Sequence, residues 1–303
     1  MCGIAGILSG ARPVNDRAVA AMTASMDHRG PDGTGQWRET DGRVVLGHRR
    51  LAIICTGDEG RQPMATADGT LIVVANGEIY NYLELRARLQ AMGARFATAS
   101  DTEVILEAYR AWGDDCLREM NGMFAFALWD RRRRRLFCAR DRFGEKPFLY
   151  ACGDGYFAFA SEYKALLSLD SVSSAVDPAP LVRFIADPRR GLDSDGGTVF
   201  PAICQLLPGE RLSLDLDSLT PRTERYWRLQ PAVSASNAPD EASAADRLRE
   251  LLTDSIRLRL RSDVPLGSCL SGGLDSSAIV CIGRNLMGDD TPYHTFTGRF
   301  PGT

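Results

Sequence analysis

Histidine is scarce in this chain. There are three in 303 residues (His28, His48, His294), and none falls in a pattern that would set an imidazole beside a nucleophile. The eight cysteines, at positions 2, 55, 116, 138, 152, 204, 269 and 281, form no C-x-x-C pair. That scatter excludes a zinc site or a disulfide framework and points to a reducing, cytoplasmic setting. Most of the seven beyond Cys2 are expected to fill cores. No apolar run reaches the roughly 18 residues that a bilayer requires, and no basic segment precedes the short apolar start, so neither a membrane span nor a signal peptide is expected. A net charge of -3 leaves no basic surplus for nucleic acid or an anionic membrane. The arginine run 131–135 is short and lacks interleaved aromatics, which makes it a solvated hairpin tip. Hydrophobic content of 44% and charged content of 25% are those of a soluble globular protein. The length suits one large domain and part of another.

What is present begins at MCGIAGI. Removal of Met1 would leave Cys2 as the first residue, with a thiol nucleophile and an α-amine of nearly neutral pKa on one residue. While Met1 stays, that amine is blocked. The stretch RVVLGHRRLAII reads as a strand pair or bent strand carrying Arg49 and Arg50, each either a solvated charge on the strand face or a guanidinium that grips a carboxylate through two parallel hydrogen bonds. TLIVVA is a second strand. Asn76-Gly77 follows it, placed at a strand-to-helix turn because YNYLELRARLQAMG is helical, with Asn81 and Glu84 as a capping box. A side-chain amide and a backbone N–H displayed together are the parts of an oxyanion hole. SDTEVILEAYRAWG repeats the logic, with Ser100 and Glu103 as the box and Asp101 at the positive helix start. NGMFAFALWD and RLFCARD form two strands about the arginine turn; GYFAFASE, a short YKALLSL helix and LLPGERLSLDL close a strand-rich domain. Residues 217–245 are rich in Ser, Pro and Ala and read as a linker. An amphipathic helix, DRLRELLTDSIRLRL, leads to an apolar strand over Val264–Leu270 and then to SGGLDSS. There, two glycines, the hydroxyls of Ser271, Ser276 and Ser277, and helix N-terminal amides can cradle phosphates, while Asp275 can hold Mg²⁺. The Lys of a Walker A loop is absent.

Taken in order, MCGIAGI, HRGPDG, GHRRLAI, NGEIYNY, SDTEVIL, NGMFAFALWD, ARDRFGEKP, FASE-x-KALL and SGGLDSS resemble the glutamine-hydrolysing asparagine synthetases from residue 2 to about 299. The resemblance implies an α+β fold: a four-layer αββα N-terminal-nucleophile hydrolase sandwich over 1–216, the linker 217–245, and an incomplete α/β pyrophosphatase-loop domain over 246–303. It also implies a reaction. Cys2 attacks the glutamine side-chain amide, and Asn76 with the Gly77 N–H holds the oxyanion. Arg50 takes the α-carboxylate, Glu78 and Asp101 the α-ammonium, and Leu51, Ala52, Ile53 and Ile54 complete the pocket. The ammonia then reaches a second site, where Mg-ATP activates aspartate by adenylation and the products are asparagine, AMP and pyrophosphate. Cys269, Leu270, Ser271, Gly272, Gly273, Leu274, Asp275, Ser276 and Ser277 match the part of that site that holds ATP and pyrophosphate. Partners implied are glutamine, ATP, aspartate and, by analogy, a second copy; the glutaminase half takes no cofactor.

Because the family continues well beyond RFPGT, the resemblance implies a truncated chain retaining glutaminase chemistry alone, its residues after about 246 poorly supported. Cys55 stands where many relatives have Asp, a change expected to affect only local packing. Two other readings stay open: an amidotransferase for a different carboxylate, and a non-catalytic glutamine-binding remnant.

Overall fold

In the computed structural model of the chain, which describes residues 1–191, 196–230 and 239–299, the opening apolar run is an interior strand. In chain order the elements begin with β1 (Gly3–Ser9), α1 (Asp16–Ala24), β2 (Gly33–Arg38), β3 (Val44–Arg50), β4 (Met64–Ala65), β5 (Leu71–Ile79), α2 (Tyr82–Ala91) and α3 (Asp101–Trp112). Next come α4 (Cys116–Glu119), β6 (Gly122–Asp130), β7 (Arg135–Arg140), β8 (Leu149–Gly153), β9 (Tyr156–Ala160), α5 (Tyr163–Leu167), α6 (Pro178–Ala186), β10 (Cys204–Gln205), β11 (Glu210–Asp215) and β12 (Arg222–Arg225). The second region has α7 (Glu241–Arg259), β13 (Gly267–Cys269), α8 (Leu274–Met287) and β14 (His294–Phe296). The chain divides into two units, Met1–Arg228 and Leu229–Thr303.

Within the first unit two antiparallel sheets are ordered β10-β8-β9-β1-β3-β2 and β12-β11-β7-β6-β5-β4. Because side chains alternate along a strand, β1 sends Ile4 and Leu8 to one face and Ala5 and Ile7 to the other. Ile4 and Leu8 meet Val74, Ala127 and Trp129 of the other sheet in a core between the two. On the outer face Ala5 and Ile7 join Val19 and Met22 of α1 and Leu166 of α5. A third core lies between α2 and α3 and the second sheet, around Leu85, Val104, Tyr109, Phe126 and Phe137. Burial on both faces explains why these strands lack a polar alternation.

Several expectations need correction. Asn76 and Gly77 lie inside β5, paired with β6, and the turn into α2 follows Ile79. Asn81 does occupy the start of α2 but caps nothing: its amide donates to Glu119 O at 2.9 Å and accepts from the Asn121 N–H at 2.9 Å. At α3, Ser100 caps the Thr102 N–H at 3.1 Å, while Glu103 turns instead to the N–H groups of Ala97 and Thr98, each at 2.7 Å. The arginine turn is only partly solvated. Arg131 grips buried Glu39 at 2.7 Å, and Arg135 makes a two-pronged pair with Asp114 at 2.8 Å. Three of the seven further cysteines, Cys55, Cys116 and Cys138, are buried; Cys204 is intermediate, and Cys152, Cys269 and Cys281 are exposed.

The first unit also runs past residue 216. β12, inside the stretch read as linker, pairs with β11, and Tyr226 donates to Arg140 O at 2.9 Å. Residues 231–238 of that stretch, and 300–303 at the other end, lie outside the described residues.

The second unit is small. β13 and β14 pair in parallel, and the strand expected over Val264–Leu270 is confined to Gly267–Cys269, two of whose three residues are exposed. On α7, Leu248 and Leu251 are more than half exposed, while Ile256 and Leu258 are buried. None of the described helices is long and apolar enough to cross a membrane.

Candidate active site

β1, β3 and β5 bring Cys2, Arg50, Asn76, Gly77 and Glu78 to one cavity of about 140 Å³, and the start of α3 adds Asp101. Leu51, Ile53 and Ile54 also line it. Ala52 does not; its N–H is spent on Asp32 Oδ2 at 2.9 Å.

The Cys2 sulfur accepts from the Leu51 N–H at 3.3 Å, and its S–H donates to Leu51 O, 3.5 Å from the sulfur. Burial pushes the thiol pKa up, with the Leu51 N–H opposing that rise. A thiol so placed needs a base to become a nucleophile. The terminal amine, here on Met1, is held below its ordinary value by burial, an effect that the Cys2 sulfur and Asp32 oppose and the charges of Arg29 and Lys146 reinforce.

Asn76 is 1% exposed, and among the described residues neither its amide oxygen nor its amide nitrogen has a hydrogen-bond partner. Leaving buried polar atoms unpaired costs about 1–3 kcal/mol each, and Asn76 lines the same cavity as Cys2. The backbone just before it is clamped on both sides. His48 Nε2 lies 3.0 Å from Ala75 O, and the Ala75 N–H donates to Gln62 Oε1 at 2.6 Å. Burial brings the His48 pKa down to about 4, so the ring is neutral near pH 7 and its Nε2–H donates. Gly77 has φ +148°, and a Cβ there would collide with Met123 O, so no other residue fits this strand position.

Burial raises the Asp101 pKa to about 6, against the Ile79 N–H that donates to it at 2.9 Å. Glu78 is pushed up by burial and by Asp101 beside it, while Lys146 pulls it down. Both acids line the cavity, and burial raises the pKa of each. Opposite in charge, Arg50 is not the free fork expected. Its Nη1 donates to Gly57 O at 2.7 Å and its Nη2 to Cys55 O, bonds that fix the guanidinium at the cavity wall.

Sequence reasoning missed Gln62, Thr102, Met123 and Lys146 in the lining. Lys146 stood in a quoted motif, GEKP, but its burial depends on the preceding pair. Arg140 Nε donates to Lys146 O at 2.8 Å and Asp141 accepts from the Lys146 N–H at 3.0 Å, so the lysine is presented inward.

The other predicted site stays together in one turn of the second unit. Cys269 ends β13, Leu270 N–H donates to Phe296 O at 2.9 Å, and Gly273 precedes α8. Gly272 has φ +82°, with open space where a Cβ would stand. Ser271 and Ser276 hydroxyls are 2.9 Å apart, and Ser276 also bonds Gly273 O at 3.1 Å. Ser277 continues α8, and its N–H bonds Gly273 O at 3.1 Å. Leu274 is 86% exposed. Asp275 has no companions within the described residues that would complete a metal site.

A family model described as glutamine amidotransferase domain matches residues 1–227. The chain belongs to the glutamine amidotransferase family. A second model, described as asparagine synthase, matches residues 247–303. The chain is 38% identical to asparagine synthetase [glutamine-hydrolyzing] 3 of Bacillus subtilis, over 98% of this chain and 48% of that protein. It is 32% identical to amidase chry2 of Gibberella zeae, over 100% of this chain and 46% of that protein. The chain thus spans about half the length of these curated relatives. Among solved structures it is similar to glutamine phosphoribosylpyrophosphate amidotransferase from B. subtilis, with TM-score 0.55 and 19% identity over 96% of this chain and 65% of that one, a likeness of fold.

Proposed function

We propose that Met1–Arg228 is a glutaminase of the N-terminal-nucleophile type, with the four-layer αββα arrangement that its three apolar cores support. The observation that carries this reading is the buried, unbonded amide of Asn76 in the same cavity as the Cys2 sulfur. Glutamine enters with its α-ammonium toward Glu78 and Asp101 and its α-carboxylate toward Arg50. Cys2, freed of Met1, attacks the side-chain carbonyl carbon while its α-amine takes the thiol proton. Negative charge on the carbonyl oxygen is met by the Asn76 amide N–H and the Gly77 N–H. Collapse returns the proton to the leaving nitrogen, releasing ammonia and leaving a γ-glutamyl thioester for water to hydrolyse.

For residues 269–277 the proposed ligand is ATP, which the match to asparagine synthase implies. The open turn at Gly272 and the hydroxyls of Ser271 and Ser276 fit a phosphate, and Asp275 would meet Mg²⁺ carried by the nucleotide. The activity that follows is glutamine-dependent amidation of an ATP-activated carboxylate, aspartate by likeness to the B. subtilis relative. The fungal relative named an amidase keeps a different carboxylate acceptor as the second reading.

Glutamate release is the test. With Met1 removal verified by mass spectrometry, the chain should release glutamate from glutamine, and Cys2→Ala should lower kcat by about 10⁶, as loss of a nucleophile does elsewhere. Equal release by both forms would overturn the assignment.

A further inference from the structure

Two motifs found no use in the pocket, HRGPDG and FASE-x-KALL, and the fold puts them together behind the nucleophile. Arg29 is 8% exposed. Its Nε donates to the Cys2 carbonyl oxygen at 2.8 Å, and its Nη1 donates to Glu162 Oε1 at 3.0 Å. Among the described residues its buried Nη2 has no partner, so these two acceptors fix the guanidinium. Glu162 is held in turn by His28 Nε2 at 2.9 Å and Lys164 Nζ at 3.2 Å. Its neighbour Ser161 bonds Ile4 twice at 3.0 Å, through the Ile4 N–H to its hydroxyl and from its own N–H to Ile4 O. The start of the chain is therefore gripped at the Cys2 carbonyl by Arg29 and, two residues on, at Ile4 by Ser161. Neither Arg29 nor Glu162 lines the cavity.

We propose that Glu162 is a positioning residue for Cys2, acting through Arg29. The carboxylate holds the buried guanidinium in the orientation that pins the Cys2 carbonyl, and the pinned backbone keeps the sulfur at the Leu51 N–H and facing Asn76. A chain terminus frays unless tied down, and a reacting atom displaced by about 1 Å can cost 10²-fold in rate. Charge-assisted hydrogen bonds are about twice as strong as neutral ones, which suits Arg29 to this task. The inference rests on the glutaminase reading for its kinetic consequence, not for its geometry.

The test uses the whole chain with Met1 removed, comparing Glu162→Ala and Glu162→Gln with the parent and Cys2→Ala. Glu162→Ala should lower kcat about 10²-fold with KM for glutamine changed less than threefold, since glutamine touches neither residue. Glu162→Gln keeps an oxygen for Arg29 and should recover at least a tenth of the parent kcat. The rate of Cys2 alkylation by iodoacetamide, read on the N-terminal peptide, should change in Glu162→Ala and be restored by Gln. Thermal melts establish that each variant is folded at the assay temperature. A folded Glu162→Ala with parent kcat and parent alkylation rate overturns the proposal, as does a loss confined to KM. Should the parent release no Cys2-dependent glutamate, the glutaminase reading fails, and alkylation alone still decides whether Glu162 holds Cys2.

Discussion

The pocket around Cys2 and the turn around Ser271 carry equally clear sequence patterns, yet they are built differently. In the first, buried neighbours place polar groups: Asn76 lies behind an Ala75 clamped by His48 and Gln62, and Asp101 at the mouth of a helix packed on a sheet. In the second, the turn follows a short strand in a two-stranded sheet, and Gly272, Gly273, Leu274 and Asp275 are exposed. Fixed dipoles act on a reaction because they need not reorganise when charge appears. Motif and machinery are separable, and packing is what turns one into the other.

The contrast can be attacked where packing is densest. Trp129 is fully buried between the sheets and donates to Glu39 at 2.9 Å. Trp129→Ala should cost about 3–5 kcal/mol of stability by denaturant unfolding. A cost below 1 kcal/mol would break the claim that the first unit is a tight scaffold. Next comes the amide itself. Asn76→Ala should lower kcat by about 10²–10³, as removal of an oxyanion donor does, while glutamine binding, read by calorimetry, changes little. Equal losses in binding and turnover would mean that Asn76 grips the ground state instead.

Asp101 sharpens the comparison through pH. Its folded pKa of about 6 lies above the ordinary 3.8, so the folded state binds a proton more readily than the unfolded one. Asp101 therefore makes stability fall as pH rises between about 4 and 6, and Asp101→Asn should flatten that slope. Glutamine binding moves the opposite way: KM should rise as pH drops below about 6 and the carboxylate takes up a proton. The smallest effect belongs to the second unit. Leu251, 52% exposed on α7, should tolerate Ser within about 0.5 kcal/mol, and β13 amides should exchange with solvent faster than those of β5. Slower exchange in β13 than in β5 would erase the distinction.

Much of this was legible in the chain because the signals are local. Cys2 is the second residue, and Ser100 and Gly113 bracket a helix by their own chemistry. The cavity's opposed charges, Arg50 against Glu78 and Asp101, came only through the family resemblance, since strand and helix patterns alone do not bring them together. Illegible were the roles that depend on distant partners. Gln62 matters because its oxygen meets Ala75, and Lys146 because Arg140 and Asp141 turn it inward. Asn76-Gly77 was misplaced because the helix that follows suggested that the strand ends before it, whereas pairing with β6 runs along the whole of β5 to Ile79. The linker was drawn too early because Ser and Pro content hides β12, a strand exposed along its length and held by backbone pairing.

The central claim is that the Cys2 sulfur forms a bond to glutamine in this cavity. Rapid acid quenching of the processed chain mixed with glutamine, followed by peptide mass spectrometry, tests it most directly. The account predicts a mass increase of one glutamyl group on the N-terminal peptide, absent in Cys2→Ala and diminished in Asn76→Ala. Glutamate release continuing in Cys2→Ala, or a glutamyl group on any other cysteine, would contradict it.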